Sequence, residues 1–108
     1  MALKHSELRQ AVIESANFLV RIGAISMSHH GNFSVRVPGT DTILLTASSS
    51  FDNLQPENLA LLDLDGKLVE GEINPTNAEI VHMHAIVYKE RPDTGAVVHT
   101  HSTYATSF

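Results

Sequence analysis

The sequence of 108 residues contains no cysteine. This absence excludes disulfide bonds and thiolate chemistry, so a metal site in this chain has to use histidine, aspartate, glutamate or water. Long hydrophobic runs are also absent, since no apolar stretch approaches the roughly 20 residues that span a bilayer. The first residues lack the apolar segment of a secretory signal. We therefore expect a cytoplasmic protein with no membrane partner.

Basic residues are few and scattered. Seven Lys and Arg stand against twelve Asp and Glu, which gives a formal net charge of −5. Without a basic cluster, a nucleic-acid-binding surface is not expected. The composition is 43% hydrophobic and 18% charged, as in ordinary soluble globular proteins, and the length suffices for one small domain.

Hydrophobic periodicity predicts two amphipathic helices, over 6–22 and from Asn77 to the Arg91–Pro92 pair. Five segments are predicted as strands: 33–37, 42–46, 59–64, 67–70 and 96–101. The Asp65–Gly66 pair is a strong hairpin signal between two of them, and a short helical turn is expected at 56–59. Since antiparallel pairs dominate, we predict an α/β fold, layered α-β-α, with a largely antiparallel central sheet flanked by helices.

Each helix is expected to bury one apolar stripe against the sheet. The first stripe comprises Leu8, Ala11, Val12, Ala16, Leu19 and Ile22. The second comprises Ile80, Met83, His84, Val87 and Tyr88. A lone histidine on such a face, like His84, is usually a core residue with a satisfied hydrogen bond, whereas Glu79 and His82 lie on a different face.

Histidine is as frequent as lysine and arginine together, with seven of each. His99 and His101 stand two positions apart in the last predicted strand, and alternate residues of a strand point to the same side. Two imidazoles about 6–7 Å apart along the strand can converge on a divalent metal. The alternative is a pair of half-exposed strand histidines, and the His-x-His pattern alone does not choose between them.

Two further features have a plain and a functional interpretation. Ala47–Ser50 is a run of small residues directly after a buried strand, where backbone N–H groups and hydroxyls suit a phosphate. Taken alone, a polar loop is the simpler interpretation. Glu79 lies in the first helical turn, where the helix dipole favours a carboxylate whether or not it has a catalytic role.

Three segments together resemble the class II aldolase/adducin family: GNFSVR at 31–36, LLTASS at 44–49 and YKERPDTGAVVHTHS at 88–102. The third is the most specific, because it joins a helix end, an Arg-Pro-Asp turn and a His-x-His strand in one fixed order. The resemblance runs over nearly the whole chain. It implies that residues 1–108 form the N-terminal, incomplete half of the family domain.

The resemblance also implies a function. Members are metal-dependent aldehyde-lyases of carbohydrate metabolism, which cleave a small phosphorylated hydroxy-ketone sugar through an enediolate. His99 and His101 would bind the metal, with zinc as the usual ion, and Glu79 would be the catalytic acid and base. The substrate phosphate would be bound by Gly31, Asn32, Ser48, Ser49, Thr76 and Asn77. The family further implies a homo-oligomer, typically a tetramer.

Three departures from the family pattern keep alternatives open. Ser48–Ser49 and Thr76–Asn77 replace the usual Thr-Gly and Ser-Ser pairs, so a carboxylated substrate would suit the same donors. The spacing from Glu79 to the His-x-His strand is one residue longer than usual. The family's third metal histidine lies beyond that strand, and this chain ends at Phe108 without it.

Other reactions and other ligands are therefore retained as alternatives. Epimerisation, decarboxylation and dehydration use the same constellation of residues, and adducin-like members keep the fold without catalysis. Metal binding by the 108-residue chain is expected to be weak unless another histidine completes the set. The candidates for that place are His82, His84 and the pair His29–His30.

Overall fold

The computed structural model describes residues 4–22, 31–46, 54–73 and 77–100. These contain two α-helices, α1 (Ser6–Arg21) and α2 (Ala78–Glu90), and a short 3₁₀ helix, Pro56–Asn58. The five strands are β1 (Gly31–Arg36), β2 (Thr42–Thr46), β3 (Leu59–Asp63), β4 (Leu68–Glu70) and β5 (Ala96–Thr100). Neither helix in this part of the chain has the length and apolar character needed to cross a membrane.

The strands form one sheet in the order β4-β3-β2-β1-β5, and every neighbouring pair is antiparallel. This confirms the predicted sheet. β1 begins two residues before the predicted start at 33, because Gly31 and Asn32 pair with Thr100 and His99. Pairing over such a sequence separation is not visible in the local alternation of polar and apolar residues.

Two core clusters lie on opposite faces of the sheet. The cluster under α1 comprises Val12, Ile13, Ala16, Phe33, Val37, Leu44, Leu54, Leu59 and Leu61. The cluster under α2 comprises Ile43, Leu45, Ala60, Leu62, Val81 and Tyr88. Alternate residues of β2 and β3 enter each cluster, so β2 is buried on both faces as predicted. The fold is therefore the predicted α-β-α arrangement.

The buried stripes of the helices differ in part from the expected ones. In α1, Ile13 is buried and Ala11 is exposed, and Ile22, which follows the helix, is also exposed. In α2 the buried residues are Val81, His84, Ala85 and Tyr88, and Met83 is 37% exposed. Apolar residues occupy several overlapping stripes on both helices, so the spacing alone does not show which stripe meets the sheet. That choice depends on how each helix crosses the strands.

α1 also buries a charged residue that periodicity did not predict. Arg9 is 1% exposed, and its guanidinium donates to the carbonyls of Pro56 and Leu59 at 2.8 Å each. It also donates to the carbonyl of Lys4 at 2.7 Å and to Oε1 of Glu70 at 2.6 Å. These bonds join α1 to the 3₁₀ helix, β3 and β4.

Candidate functional site

The strand that carries His99 lies at one edge of the sheet. β5 is paired with β1, in a register that places Asn32 opposite His99 and Ser34 opposite Val97. Val97 packs against the core cluster under α2. Since alternate strand residues share a face, His99 lies on the α2 side as well. It is partly exposed, as a ligand-binding residue at a sheet edge has to be.

A continuous set of polar side chains leads from His99 into the interior. Nδ2 of Asn32 lies 3.4 Å from Nδ1 of His99, and its Oδ1 accepts a hydrogen bond from Nε2 of His84. Nδ1 of His84 is 2.6 Å from Oγ of Ser34, which is 2.8 Å from the Tyr88 hydroxyl. Asn32, Ser34, His84 and Tyr88 are each at most 5% exposed. These four residues are called the buried network below.

Burial keeps both titratable members of the buried network uncharged at neutral pH. Burial, with a smaller contribution from neighbouring His99, lowers the pKa of His84 to about 4. Burial raises the pKa of Tyr88, although hydrogen bonds with Ser34 and with the backbone of Val97 partly oppose the change. At neutral pH the network therefore consists of uncharged groups joined by hydrogen bonds.

Arg36, at the end of β1, contacts the C-terminal end of α2 and the turn after it. Its Nη2 donates to the Tyr88 carbonyl at 2.9 Å, and its Nε donates to the Thr94 carbonyl at 3.1 Å. The guanidinium also lies 5.2 Å from the centroid of the Tyr88 ring, a cation–π contact. Asn32, Ser34 and Arg36 alternate along β1 and all contact α2 or the turn that follows it. The 31–36 motif thus holds α2 against β1.

α2 lies along β1 and points in the same direction as this strand. His84, nearer the start of α2, contacts Asn32 and Ser34, whereas Tyr88, one turn later, contacts Ser34 and Arg36. The N-terminal end of α2 therefore points towards the start of β1, where β5 ends. Glu79 is exposed in the first turn of α2. Asn77 occupies the predicted N-cap position, and Gly31 and Asn32 are buried at the start of β1.

A family profile described as the class II aldolase and adducin N-terminal domain matches residues 10–108. The chain belongs to this family. The resemblance seen in the sequence is thereby confirmed.

Solved structures with the same fold agree with the family assignment. An L-fuculose 1-phosphate aldolase is 31% identical with a TM-score of 0.81, and the match covers 99% of this chain and 49% of that one. YgbL from Escherichia coli, provisionally assigned as an aldolase, epimerase or decarboxylase, is 29% identical with a TM-score of 0.80. That match covers 94% of this chain and 47% of YgbL. The chain thus spans about half the length of these relatives.

Four of the site residues expected from the family resemblance lie outside the described residues: Ser48, Ser49, Thr76 and His101. Their nearest described neighbours in the chain are Thr46, Asn77 and Thr100. Thr46 ends β2 beside the start of β1, where its hydroxyl accepts from the Phe33 N–H at 3.1 Å. Thr100 pairs with Gly31. The described part of the chain therefore brings His99, Asn32 and Gly31 together, with Glu79 and Asn77 at the same end of the sheet.

The imidazole donors expected in this family fit a zinc-type ion, which takes neutral histidine nitrogens readily. Among the residues that the structure describes, no group of three or more His, Asp or Glu is placed to hold a metal. His84 does not supply a further ligand, because both of its ring nitrogens are bonded within the buried network. The interpretation of His84 as a core histidine with satisfied hydrogen bonds is thus confirmed.

Sequence reasoning did not find the buried network as a unit. Its signal was present in two separate patterns: Asn32, Ser34 and Arg36 alternate along one strand face, and His84 and Tyr88 share one helix face. Polar residues at strand period and at helix period can satisfy one another when those faces pack together. Matching the two patterns would have indicated that α2 covers β1.

Proposed function

We propose that this chain forms the metal- and substrate-binding half of a class II aldolase-type lyase, which cleaves a small phosphorylated hydroxy-ketone sugar. The observation that carries the proposal is the place of His99 on β5, joined to Asn32 and facing α2, in a chain of this family. The likeness to an L-fuculose 1-phosphate aldolase supports the choice of reaction. A cytoplasmic homo-oligomer is part of the same proposal.

His99 and His101 are proposed to hold a divalent metal ion, with zinc as the first candidate. When bound, such an ion supplies Lewis-acid polarisation of a substrate carbonyl. His99 lies on β5, at the edge of the sheet, and its ring nitrogen Nδ1 contacts the side-chain amide of Asn32. An imidazole held in this way keeps its direction towards the ion, which is the usual task of a partner behind a metal ligand.

Glu79 is proposed to remove and return the proton on the carbon next to the substrate carbonyl. Its carboxylate is exposed in the first turn of α2, at the end of the sheet where His99 lies. A carboxylate in this position can act as a general base towards a bound substrate. Its position leaves it accessible to a substrate.

The anionic end of the substrate is proposed to bind at Gly31, Asn32, Ser48, Ser49, Thr76 and Asn77. Asn77 lies at the N-terminus of α2, where backbone N–H groups without helical partners favour anions. The amide of Asn32 already bonds the rings of His84 and His99. The amide nitrogen of Asn32 carries two hydrogens, so one can be directed at His99 and the other at an anion.

A related reaction is the second candidate. The Ser48–Ser49 and Thr76–Asn77 pairs suit a carboxylate as well as a phosphate, and the similar protein YgbL carries aldolase, epimerase and decarboxylase as its provisional assignments. Epimerisation, decarboxylation or dehydration of a small sugar-like anion would use the same histidines and the same Glu79. Non-catalytic, adducin-like use of the domain is the third candidate.

Metal titration tests the first step of the proposal. We expect Co²⁺ or Zn²⁺ to bind the chain, and the substitution His99→Ala to weaken binding by about tenfold or more, because a ligand is lost. His82→Ala is the matched control, since His82 is an exposed histidine on α2. Cobalt absorption or calorimetry measures the affinities. Equal metal affinity in the His99 and His82 variants would contradict the assignment of His99.

Turnover tests the second step. The chain is incubated with ketose 1-phosphates and with related sugar acids, while aldehyde and carbon dioxide are measured separately. Glu79→Gln is expected to lower turnover by a factor of about 10² or more without changing metal affinity. Glu90→Gln, an exposed carboxylate at the other end of α2, is the control. If the Glu79 variant is as active as the Glu90 variant, Glu79 is not the acid and base.

A further inference from the structure

We infer that Thr46 is a positioning residue for the anion-binding part of the proposed site, because its hydroxyl fixes the backbone that carries Asn32. Thr46 ends β2 and is 3% exposed. The effect on anion binding rests on the proposed function, which assigns Asn32 to the substrate anion. The effect on the backbone is a property of the ligand-free chain, so the two parts can be tested separately.

The two neighbours of β1 pair with different parts of it. β5 pairs with residues 31–35, whereas β2 pairs with residues 34–36. β2 itself continues beside β3 as far as Thr46, which is paired with Leu59. Among the described pairs, the first three residues of β1 therefore have partners on β5 only.

A hydrogen bond to a side chain joins this part of β1 to β2. The Phe33 N–H donates to Oγ1 of Thr46 at 3.1 Å, and the bond is buried. Alternate N–H groups of a strand face the same side, so Phe33 and Val37 both direct theirs towards β2. The Val37 N–H donates to the Thr42 carbonyl at 3.0 Å. For Phe33 a hydroxyl is the acceptor, where Val37 has a main-chain carbonyl.

The bond orients the peptide group between Asn32 and Phe33. The Phe33 N–H and the Asn32 carbonyl lie in one plane. Thr46 restrains this plane on the side of β2, and the pairing of Asn32 with His99 restrains it on the side of β5. The Asn32 side chain, attached next to this plane, lies between the rings of His84 and His99. Thr46 therefore acts on Asn32 through the backbone.

Thr46 also stands between the two parts of the proposed anion-binding set. Gly31–Asn32 directly precedes Phe33 in the sequence. Ser48–Ser49 begins two positions after Thr46. An anion bound by both pairs requires a fixed separation between them. The bond between Phe33 and Thr46 restrains the strand ends from which both pairs extend.

Removal of the hydroxyl changes the population of chains that can bind an anion. A buried N–H without an acceptor is unfavourable. Without the Thr46 hydroxyl, Phe33 either keeps its place with an unpaired N–H or moves to another acceptor and carries Asn32 with it. The chain then occupies the anion-binding arrangement for only part of the time, and the apparent affinity falls by that fraction.

Calorimetric titration tests the effect on binding, with inorganic phosphate as the probe. Thr46→Val replaces the hydroxyl by a methyl group of similar size and is expected to raise the Kd about tenfold. Thr46→Ser keeps the acceptor and should restore the affinity. Thr42→Val is the matched control, because Thr42 lies at the other end of β2 and its hydroxyl bonds to that of Thr40.

Amide hydrogen exchange tests the effect on the backbone without any ligand. Thr46→Val is expected to speed exchange of the Phe33 amide, and Thr46→Ser to slow it again. The Val37 amide, bonded to a main-chain carbonyl at the other end of β2, is the internal control for general loosening. Its exchange should be the same in the two Thr46 variants. Equal exchange of the Phe33 amide in the unmodified and Thr46→Val chains would overturn the inference.

Kinetics distinguish positioning from a general loss of structure. With a phosphorylated ketose as substrate, Thr46→Val is expected to raise KM about tenfold. We expect kcat to be nearly unchanged, because bound substrate selects the competent arrangement. A variant that is merely less folded would lose kcat in proportion to the folded fraction and keep its KM.

The unmodified chain provides a measurement that needs no variant. Because coupling between two sites is reciprocal, bound phosphate should slow exchange of the Phe33 amide more than that of the Val37 amide. If Thr46→Val does not fold, this comparison decides, and equal slowing of the two amides overturns the inference.

The results separate this inference from the proposed function. Phosphate binding that is equally strong in the Thr46→Val and Thr42→Val chains supports the anion site but overturns the role of Thr46. Absence of phosphate binding from the unmodified chain contradicts the proposed anion site and the effect on affinity, while the Phe33 exchange still decides the backbone role. Weaker binding in the Thr46→Val chain, restored in the Thr46→Ser chain, supports both.

Discussion

Arg9 and His84 are two polar residues buried almost completely, and they meet the cost of burial in opposite ways. Arg9 keeps its charge and places it among four oxygen acceptors, one of them the carboxylate of Glu70. His84 gives up its charge, since burial lowers its pKa to about 4. Both follow the same rule: a buried polar group has to be paired or neutral.

The Arg9–Glu70 pair makes a clear stability prediction, because the exposed Lys89–Asp65 pair has the same nitrogen–oxygen distance of 2.6 Å. Arg9→Met removes a charge from a site that is 1% exposed, so the Pro56 and Leu59 carbonyls lose their donor and Glu70 loses its charged partner. We expect the free energy of unfolding to fall by about 3–5 kcal/mol. Urea titration measures it.

Lys89→Met is the matched control, and it should change stability little, because water replaces the interaction on an exposed surface. A similar loss in the two variants would show that burial does not decide the contribution of the Arg9–Glu70 pair. Comparable stability of the Arg9 variant and the unmodified chain would contradict the prediction directly.

At the scale of elements, local sequence patterns predicted where helices and strands occur better than they predicted which elements pair with one another. The structure has β2 at the predicted residues, Thr42–Thr46, and the helix predicted over 6–22 ends one residue earlier. The turn expected at 56–59 is the 3₁₀ helix Pro56–Asn58. These features depend on near neighbours in the chain. The start of β1 depends on β5, more than 60 positions away, and was missed.

The candidate site shows the same limit. The face of His99 and the N-cap position of Asn77 follow from strand and helix periods, and both could be predicted. The hydrogen bonds of Asn32 to His84 and His99 depend on which face of α2 meets β1, and the expected stripe through Met83 was only partly correct. The contacts beside His99 depend on how α2 packs against β1, and the hydrophobic period of one element does not show which other element it packs against.

The turn after β4 offers an element-scale prediction. Gly71 has a φ of +101°, and a Cβ there would lie 3.3 Å from the Leu59 carbonyl oxygen, which already accepts from Arg9. Gly71→Ala is therefore expected to destabilise the fold by about 2–3 kcal/mol through backbone strain and crowding. Thermal unfolding monitored by circular dichroism measures the loss.

Gly39→Ala separates the two causes. Gly39 also has a positive φ, +75°, but a Cβ there would meet nothing within 4 Å. Its loss should be the smaller one, about 1–2 kcal/mol, from backbone strain alone. A Gly39 variant as unstable as the Gly71 variant would show that the contact with the β3 backbone adds nothing.

At the scale of the whole molecule, α2 connects the two edges of the sheet. It follows β4 at one edge and precedes β5 at the other in the chain, and it packs along β1 on the face between them. Among the described residues, the side-chain hydrogen bonds between α2 and β1 are made by the buried network and Arg36, so the residues behind His99 also hold this layer of the fold together. Changes in the protonation of His84 should therefore be visible in global stability.

The sign of that dependence follows from the direction of the pKa change. His84 has a pKa of about 4 in the folded protein against an ordinary value of 6.5, so between these values the unfolded chain binds more protons. Above about pH 6.5 protonation of His84 does not reduce the free energy of unfolding, and below that pH the free energy of unfolding falls as the solution is acidified. Over this window we expect His84 to lower the free energy of unfolding by about 3 kcal/mol.

Urea titrations of the metal-free chain, with a chelator present, at several pH values between about 4 and 7 measure this slope. Carboxylates also titrate in the lower part of the range, so the comparison of variants carries the argument. His84→Gln removes the histidine contribution and should flatten the slope, even if the variant is less stable at every pH. His82→Gln, which changes an exposed histidine two positions away on the same helix, should keep the full slope. Equal slopes in the two variants would show that His84 is not the group that makes the folded chain sensitive to acid.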